Sequence, residues 1–357
     1  MKKTIEGSAR IAIDDGVFFN PKMEGLRTLS VLFLKAFGAE GSLIDCTAAT
    51  GIRAIRYAKE VGIKNVTILD INKRAFDNAV KNTKSNGVDA KAFNEDLQVF
   101  AGRHEDQFDI IDLDPFGSAA PYIHDILKIS KNRSLLMITA TDTAVLCGAH
   151  LSACIKAYAA RPLHGEPCKE TGLRILIAYV SRIAAQFNFG IEVLLSISDL
   201  HYFRVFLRLN KGAKKALDSV KTGGFGAYCH SCQNFVVKKG VVPSLNLSCE
   251  YCANIMDPFG SLWIGNLYEK GILKDMYALA EGDVKNQISL LIDEEDIPLF
   301  YSLPKITRHL HLGSISPNKI IGALRERGYK ASATQFGKEG IKADANLSDI
   351  RKILKEV

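Results

Sequence analysis

The chain has 357 residues, 47% of them hydrophobic and 24% charged. That is ample for packed cores and more than one average domain holds, so disorder and a fibrous repeat are excluded. Lys and Arg exceed Asp and Glu by 46 to 39, a formal net charge of +7, which suits an anionic partner without proving one. Eleven Lys/Arg and five Asp/Glu lie from Pro298 onward, so that segment carries +6 and the rest of the chain +1. No run of roughly 18 uncharged apolar residues occurs. The start, MKKTIEGSAR, leads into polar sequence rather than the apolar core of a signal peptide. The expectation is a soluble, cytoplasmic protein, monomeric and off the membrane.

From Ser42 to Asp142 short β-rich runs alternate with helical stretches: SLIDC, IRAIRYAKEVG, NVTILDI, RAFDNAVKNTKSNG, AKAF, FDIIDLD, YIHDILKIS and SLLMITATD. Strands separated by roughly 10 to 15 residues of helix predict βαβ units and a parallel sheet with helices on both faces. Acids or threonine stand at the carboxyl ends of the strands: Asp45, Asp70, Asp96, Asp114, and Thr141 with Asp142. Open parallel sheets bind ligands beyond those ends, where the strand order reverses. A helix over 174–188 and two β-runs at 191–198 and 202–209 predict an antiparallel pair closing the sheet. The stretch Lys211 to Gly226 has the glycine and lysine composition of a loop.

The turn in LIDCTAATGIRAIR (43–56) lacks a full three-glycine dinucleotide fingerprint but keeps small residues that let backbone approach a ligand. Arg53 and Arg56 sit just inside the following helix, where cations oppose the helix dipole, so an anionic ligand explains them better than helix stability does. Asp70 stands about twenty residues beyond the turn, where an acid accepts ribose hydroxyls. Asp96 is placed to accept from an adenine amino group. A nucleoside carrying a carboxylate rather than a pyrophosphate fits these groups, and S-adenosylmethionine is one.

FDIIDLDPFG (108–117) delivers Asp114, Pro115 and Phe116 to the same edge. The trio suits methyl transfer to an exocyclic amine, whose lone pair is delocalised and nucleophilically poor. A carboxylate holding one N–H turns the lone pair toward the methyl donor and takes the proton. The aromatic offers a flat face for a base. The same pentapeptide, DPFGS, recurs at 257–261 away from any cofactor strand and is expected to be a turn.

Cys229-x-x-Cys232 and Cys249-x-x-Cys252 stand 16 residues apart, the spacing of a four-cysteine structural zinc site that leaves no open position for water. Beyond them SPNKIIGALRERG predicts a helix with Ser316 as N-cap, Pro317 at the first position and Gly328 at the end. With its basic flanks it predicts a winged-helix-like module whose cations, with His311, Tyr329 and Phe336, contact phosphates and sugars of a structured RNA. His150, His201, Tyr202 and Arg204 are further candidates to face it.

Eight segments in order, VFFNPKMEGLR (17–27), DCTAATGIRAIR (45–56), DLDPFGS (112–118), TATDTAVLCGAH (139–150), ETGLRIL (170–176), DLHYFRVF (199–206), LWIGNL (262–267) and DIPLFY (296–301), resemble the archaeal-type tRNA (guanine(26)-N2)-dimethyltransferase family. The resemblance implies an α/β, Rossmann-like S-adenosylmethionine-dependent methyltransferase acting on tRNA. Its cofactor-binding positions fall on Arg27, Arg53, Asp70, Asp96 and Leu97, and its catalytic acid on Asp114. Phe18 and Phe116 match the aromatics that sandwich the guanine. Only the resemblance singles out Arg27. The expected division is a catalytic domain over 1–222, a zinc region over 223–265 and a basic tRNA-binding domain over 266–357. Two alternatives stay open: transfer to another base such as adenine N6, and a zinc-containing tRNA-binding protein with a degenerate methyltransferase fold.

Overall fold

The computed structural model of the chain describes residues 2–199 and 201–357. An antiparallel hairpin, β1 (Lys2–Glu6) and β2 (Ala9–Ile13), precedes helix α1 (Glu24–Phe37). Then come β3 (Ser42–Asp45), α2 (Ile52–Arg56) running on into a wider turn at Tyr57–Val61, β4 (Asn65–Leu69), α3 (Lys73–Ser85), β5 (Ala90–Phe93), α4 (Leu97–Ala101), β6 (Phe108–Leu113), α5 (Ile123–Lys128) and β7 (Ser130–Ala140). Two short helices, α6 (Thr143–Leu146) and α7 (Leu151–Tyr158), lead to the long α8 (Cys168–Gln186) and to β8 (Phe189–Ser198) and β9 (Phe203–Lys211). The strands form one sheet in the order β5-β4-β3-β6-β7-β9-β8. The first five are parallel, and β9 and β8 close the edge antiparallel. The α/β expectation therefore holds, with the order reversing between β3 and β6. Helix α3 shows why these helices dock: Asn72 caps its first turn, and Ala75, Asn78, Ala79 and Asn82 bury one face at the spacing that puts residues on one side of a helix.

Two expectations need correcting. The stretch read as a loop holds helix α9 (Ala213–Lys221) and strand β10 (Gly223–Tyr228). Here glycine serves close packing, since a Cβ on Gly226 would sit 2.3 Å from the Phe259 ring. Phe259 belongs to the second DPFGS, which is strand β12 (Asp257–Trp263) and not a turn. With β11 (Phe235–Lys239) these form a second antiparallel sheet ordered β11-β10-β12.

Helices α10 (Lys270–Leu279) and α11 (Gly282–Asp293) pack on α1 and join the large core through Leu273, Met276, Ile288 and Leu291. The C-terminal part comprises β13 (Tyr301–Ser302), α12 (Leu303–His309), α13 (Pro317–Glu326), β14 (Ala331–Ala333), β15 (Gly340–Ala343) and α14 (Leu347–Glu356). Its antiparallel sheet is ordered β13-β15-β14. Ile306, Ile320, Leu324, Ile341, Ile350 and Leu354 form a second core continuous with Cys229, Cys232 and Cys249. Among the described residues no helix is long and apolar enough to cross a membrane.

A fully buried ionic cluster joins the two cores. Lys342 on β15 lies 2.9 Å from Glu170 on α8 and 3.3 Å from Glu294, and Arg174 lies 2.9 Å from Glu170. All four side chains are shielded from solvent. Lys342 is thus an interior lock, although its charge counts toward the basic segment, and Phe336, expected to face RNA, is buried beside it. Removing one member of such a cluster strands the others without compensation. Lys342→Ala is expected to lower unfolding free energy by about 3–5 kcal/mol in a urea titration, and a loss below about 1 kcal/mol would contradict the lock.

Candidate functional site

The strand-end residues gather along the carboxyl edge of the parallel strands. After β3 the chain turns through Ala48–Gly51. Gly51 takes the left-handed conformation (φ 75°), and a Cβ there would touch Ala79 on α3 at 3.4 Å. Asp70 accepts from the Ala49 amide at 2.9 Å through Oδ2 and from the Asn72 amide at 2.8 Å through Oδ1, which ties the end of β4 to the turn after β3. Asp96 caps α4 by accepting from the Gln98 amide at 2.8 Å, and Leu97 next to it is buried. A depression of about 760 Å³ between Lys35, Asn65 and Lys131 opens at the opposite, amino-terminal edge and contains none of these acids. Parallel sheets bind their ligands at the carboxyl edge, so the chemistry belongs with the acids.

Asp114, just past β6, is ion-paired with Arg53: Nε donates to Oδ2 at 3.0 Å and Nη2 to the same oxygen at 2.5 Å. Arg53 Nη1 is buried without a partner. Beneath this pair lies a dry cluster. Asp112, two residues earlier on β6, accepts from Arg204 Nη1 (2.8 Å) and Nη2 (2.9 Å) and from the Tyr57 hydroxyl (2.6 Å). Burial pushes the Asp112 carboxyl up, but Arg204 and then Arg53 outweigh it and hold the group below its ordinary value. Asp45, at the end of β3, has less help, from Arg53 and the Thr47 amide, and it does not suffice. Burial, reinforced by Asp112, pushes it up to about 7, and its Oδ2 is a buried atom without a partner.

Two residues beyond the acid is an exposed ring, and a second exposed ring meets it. Phe18 and Phe116 are 53% and 74% exposed and meet edge to face, with centroids 4.7 Å apart at 88°. The structure places these two rings side by side, closed on each other. Arg27 is buried and donates through Nε to Glu6 Oε1 at 2.7 Å, through Nη2 to Glu6 Oε2, and from Nη2 to the Asn20 carbonyl at 3.1 Å. Arg56 shares Glu6 at 2.9 Å and pairs with Glu60 at 2.8 Å. The charge of Arg56 thus answers acids of the protein itself, and the anionic-ligand reading does not extend to it.

The four paired cysteines converge: their sulfur atoms all lie within 4.8 Å of one another. Tetrahedral zinc with Zn–S near 2.3 Å needs sulfurs about 3.8 Å apart, and the 229–252 and 232–249 pairs stand at 3.4 and 3.5 Å. Both halves are built alike. Gln233 and Ala253 take positive φ, and the amides of Asn234 and Asn254 donate to the sulfurs of Cys249 (3.7 Å) and Cys252 (3.3 Å). The donor set fits a structural zinc ion. Wild-type protein is expected to carry about one zinc per chain by elemental analysis and Cys229→Ser to lose it along with thermal stability; a metal-free but equally stable wild type would contradict the assignment.

The sequence profile described as N2,N2-dimethylguanosine tRNA methyltransferase matches residues 2–355. The chain belongs to this family. It is similar to the tRNA (guanine(26)-N(2))-dimethyltransferase of Methanothermobacter thermautotrophicus, with 34% identity over 98% of the chain and 97% of the relative. The enzyme of that name from Pyrococcus horikoshii is also 34% identical, over 99% and 97%. A solved structure of Trm1 from Pyrococcus horikoshii with S-adenosyl-L-methionine superposes with a TM-score of 0.92 at 32% identity, covering 99% of each chain.

In this methyltransferase several residues that build the site escaped sequence reading. Of the candidates to face RNA, Arg204 takes the structural role instead, fully buried on Asp112, and Tyr202 is buried with its hydroxyl 3.2 Å from Asp199. His150 and His201 are exposed. The C-x-x-C-x-N repeat was the available signal for Asn234 and Asn254. No local pattern marks Glu6 as the partner of Arg27 and Arg56.

The dry acid cluster has a pH signature. Unfolded, Asp45 loses its proton near pH ~4; folded, it keeps it up to about 7. The native state therefore binds the extra proton, and through this group stability falls as pH rises from about 4 to about 7, then levels off. Asp45→Asn removes that slope, so the mutant's stability relative to wild type rises between pH 5 and pH 8 in denaturant titrations. A pH-independent difference would contradict it.

Proposed function

We propose that this chain transfers one and then a second methyl group from S-adenosyl-L-methionine to the exocyclic N2 of guanine 26 in tRNA. The observation that carries the reading is Asp114, at the end of β6. It is bound to Arg53 through one oxygen only and stands on the ligand edge of the sheet, two residues before the exposed Phe116 ring that meets Phe18. When bound, the cofactor supplies an electrophilic methyl on a sulfonium centre. The unpartnered Arg53 Nη1 would donate to its carboxylate with Arg27, Asp70 would accept from its ribose, and Asp96 with the backbone of Leu97 would hold the adenine. These residues fit the group: among the described residues Arg53 Nη1 is a buried donor without a partner, ready for an anion.

Asp114 Oδ1 would accept one N–H of the guanine amine, turning the nitrogen lone pair toward the methyl, and would receive that proton during transfer. Rotation about the C2–N2 bond then presents the remaining N–H for the second round. Phe18 and Phe116 would stack on the two faces of the base, which requires their planes to part to about 7 Å, twice a van der Waals separation. Both rings are exposed enough to swing. The proposed division of labour is chemistry in 1–222, a metal-stabilised region in 223–265 and a tRNA grip in 266–357, where Lys305, Arg308 and Lys338 remain at least partly exposed.

Labelled methyl transfer to an unmodified tRNA transcript tests the reading. Wild-type protein is expected to incorporate label, and a transcript with adenine at position 26 to take up none. Asp114→Asn is expected to lower kcat by about 10²-fold or more. Undiminished transfer to the adenine transcript would sink the site assignment, and a fully active mutant would sink the acid.

A further inference from the structure

Phe116 is 74% exposed and touches the ring of Phe18, so its place is set by the backbone that carries it. That backbone is anchored on both sides. Upstream, the Asp114 amide donates to Thr47 Oγ1 at 3.2 Å. Downstream, Gly117 exchanges hydrogen bonds with Thr141: its amide donates to Oγ1 at 2.7 Å and its carbonyl accepts from the Thr141 amide at 2.9 Å. One residue further, Ser118 Oγ lies 2.8 Å from the hydroxyl of Tyr158 and accepts from the Ala120 amide at 3.2 Å.

Tyr158 is fully buried at the end of α7. Its hydroxyl donates to Asp142, 3.0 Å from Oδ1 and 2.9 Å from Oδ2. Burial and then Asp142 push the phenol up, so it keeps its proton for Asp142, and Ser118 must be the donor to the phenolic oxygen. Asp142 itself follows β7, the strand beside β6. One hydroxyl thus ties together the segment after the catalytic acid, the end of the neighbouring strand and helix α7. The ring meets Tyr179 edge on at 5.4 Å, and the Tyr158 carbonyl accepts from Arg182 at 2.6 Å. Neither contact needs the hydroxyl.

We propose that Tyr158 is a positioning residue for the substrate base: its hydroxyl, seated on Asp142, holds Ser118 and so fixes where Phe116 stands over Asp114. The inference rests on the functional reading above. It bears most on the second transfer, because the monomethylated base must stay between the rings while the amine turns. A slack Phe116 segment lets that base leave early.

Tyr158→Phe removes the hydroxyl and keeps the packing. It is expected to lower kcat/KM for tRNA by about 5- to 10-fold, the scale of one buried hydrogen bond, and to raise the monomethyl share of the product. Cofactor affinity is expected to stay within about twofold, since the bond lies away from the cofactor groups. Ser118→Ala, at a half-buried position, should do the same, and the double variant should lose less than the sum of the two singles, because both delete the shared Ser118–Tyr158 bond. A structural role alone would lower melting temperature and leave the mono- to dimethyl ratio untouched; that result, or additive losses in the double variant, overturns the inference. Phe116→Ala in parallel separates the two levels. If it retains full activity and product ratio, the functional reading of Phe116 fails. If it is impaired while the Tyr158 and Ser118 variants keep the wild-type ratio, only the present inference fails.

Discussion

The site depends on the buried contact between Asp112 and Arg204. Side chains alternate along a strand, and Asp114 leaves β6 two residues after Asp112, on the side that Asp112 faces. Any chain that offers Asp114 at the edge in this register also sinks Asp112 into the sheet's covering layer, where an unpaired carboxylate costs several kcal/mol. Arg204 meets that cost from β9, reaching past β7 to place two donors on Asp112 and one, at 2.8 Å, on Thr139. Under the proposed function, the antiparallel closure of the sheet therefore supports the strand that presents the acid. Arg53 then stands between the inner acid and the outer one, bonded to Asp114 and close enough to Asp112 to depress it. Two cations serve three acids, and Asp45 is the one left holding a proton near neutrality.

The second ionic cluster does a different job with similar parts. Glu170 receives Arg174 from its own helix and Lys342 from β15, and it also accepts from the Leu299 amide at 2.9 Å. Arg174 Nη1 in turn donates to the carbonyls of Trp263 and Gly265, both at 3.0 Å. Helix α8, the sheet beside the cysteines and the C-terminal part thus meet at one buried point. The cysteine cluster is bound in from the other side: Arg351 on α14 lies over the Tyr251 ring at 4.5 Å and donates to the Cys232 carbonyl at 3.3 Å. A metal there would stiffen the base on which the basic segment is mounted. Net charge located this segment, but the charge it presents to a partner is smaller than its count, because Lys342 is spent inside and Arg351 is partly so.

What could be read from sequence was what local periodicity controls. Alternating strands and helices placed Asp70, Asp96 and Asp114 on one edge because a parallel sheet leaves its carboxyl ends nowhere else to go. The cysteine spacing was equally local. Contacts between distant segments were illegible: Glu6 lies 21 residues from Arg27 and 50 from Arg56, and Arg204 lies 92 from Asp112. The errors share one physical origin. The glycines of 212–226 looked like a loop because glycine is the residue of loops, but in β10 they answer the bulk of Phe259 across the pair. DPFGS looked like a turn at its second occurrence because proline and glycine favour turns, whereas pairing with β10 overrides that local preference.

The aromatic pair brings these strands of the argument together. In the free protein Phe18 and Phe116 satisfy each other edge to face, a contact worth about 0.5–1.5 kcal/mol. A stacked base is worth about 1–3 kcal/mol on such a ring, so admitting a base between them exchanges the weaker contact for stronger ones. The exchange is selective only if each ring then stands at the right distance from Asp114, and the two rings are held by opposite ends of the structure. Phe116 hangs from β6, under the control of Asp112 and Arg204. Phe18 precedes Asn20, whose carbonyl is held by Arg27, which is itself held by Glu6 of the N-terminal hairpin. In the proposed reading Arg27 also meets the cofactor, so the guanidinium that senses the methyl donor anchors one wall of the base site. Arg53 does the same for the acid on the other side. In that reading the hairpin, which no motif predicted, would couple cofactor binding to the gap proposed to receive the base.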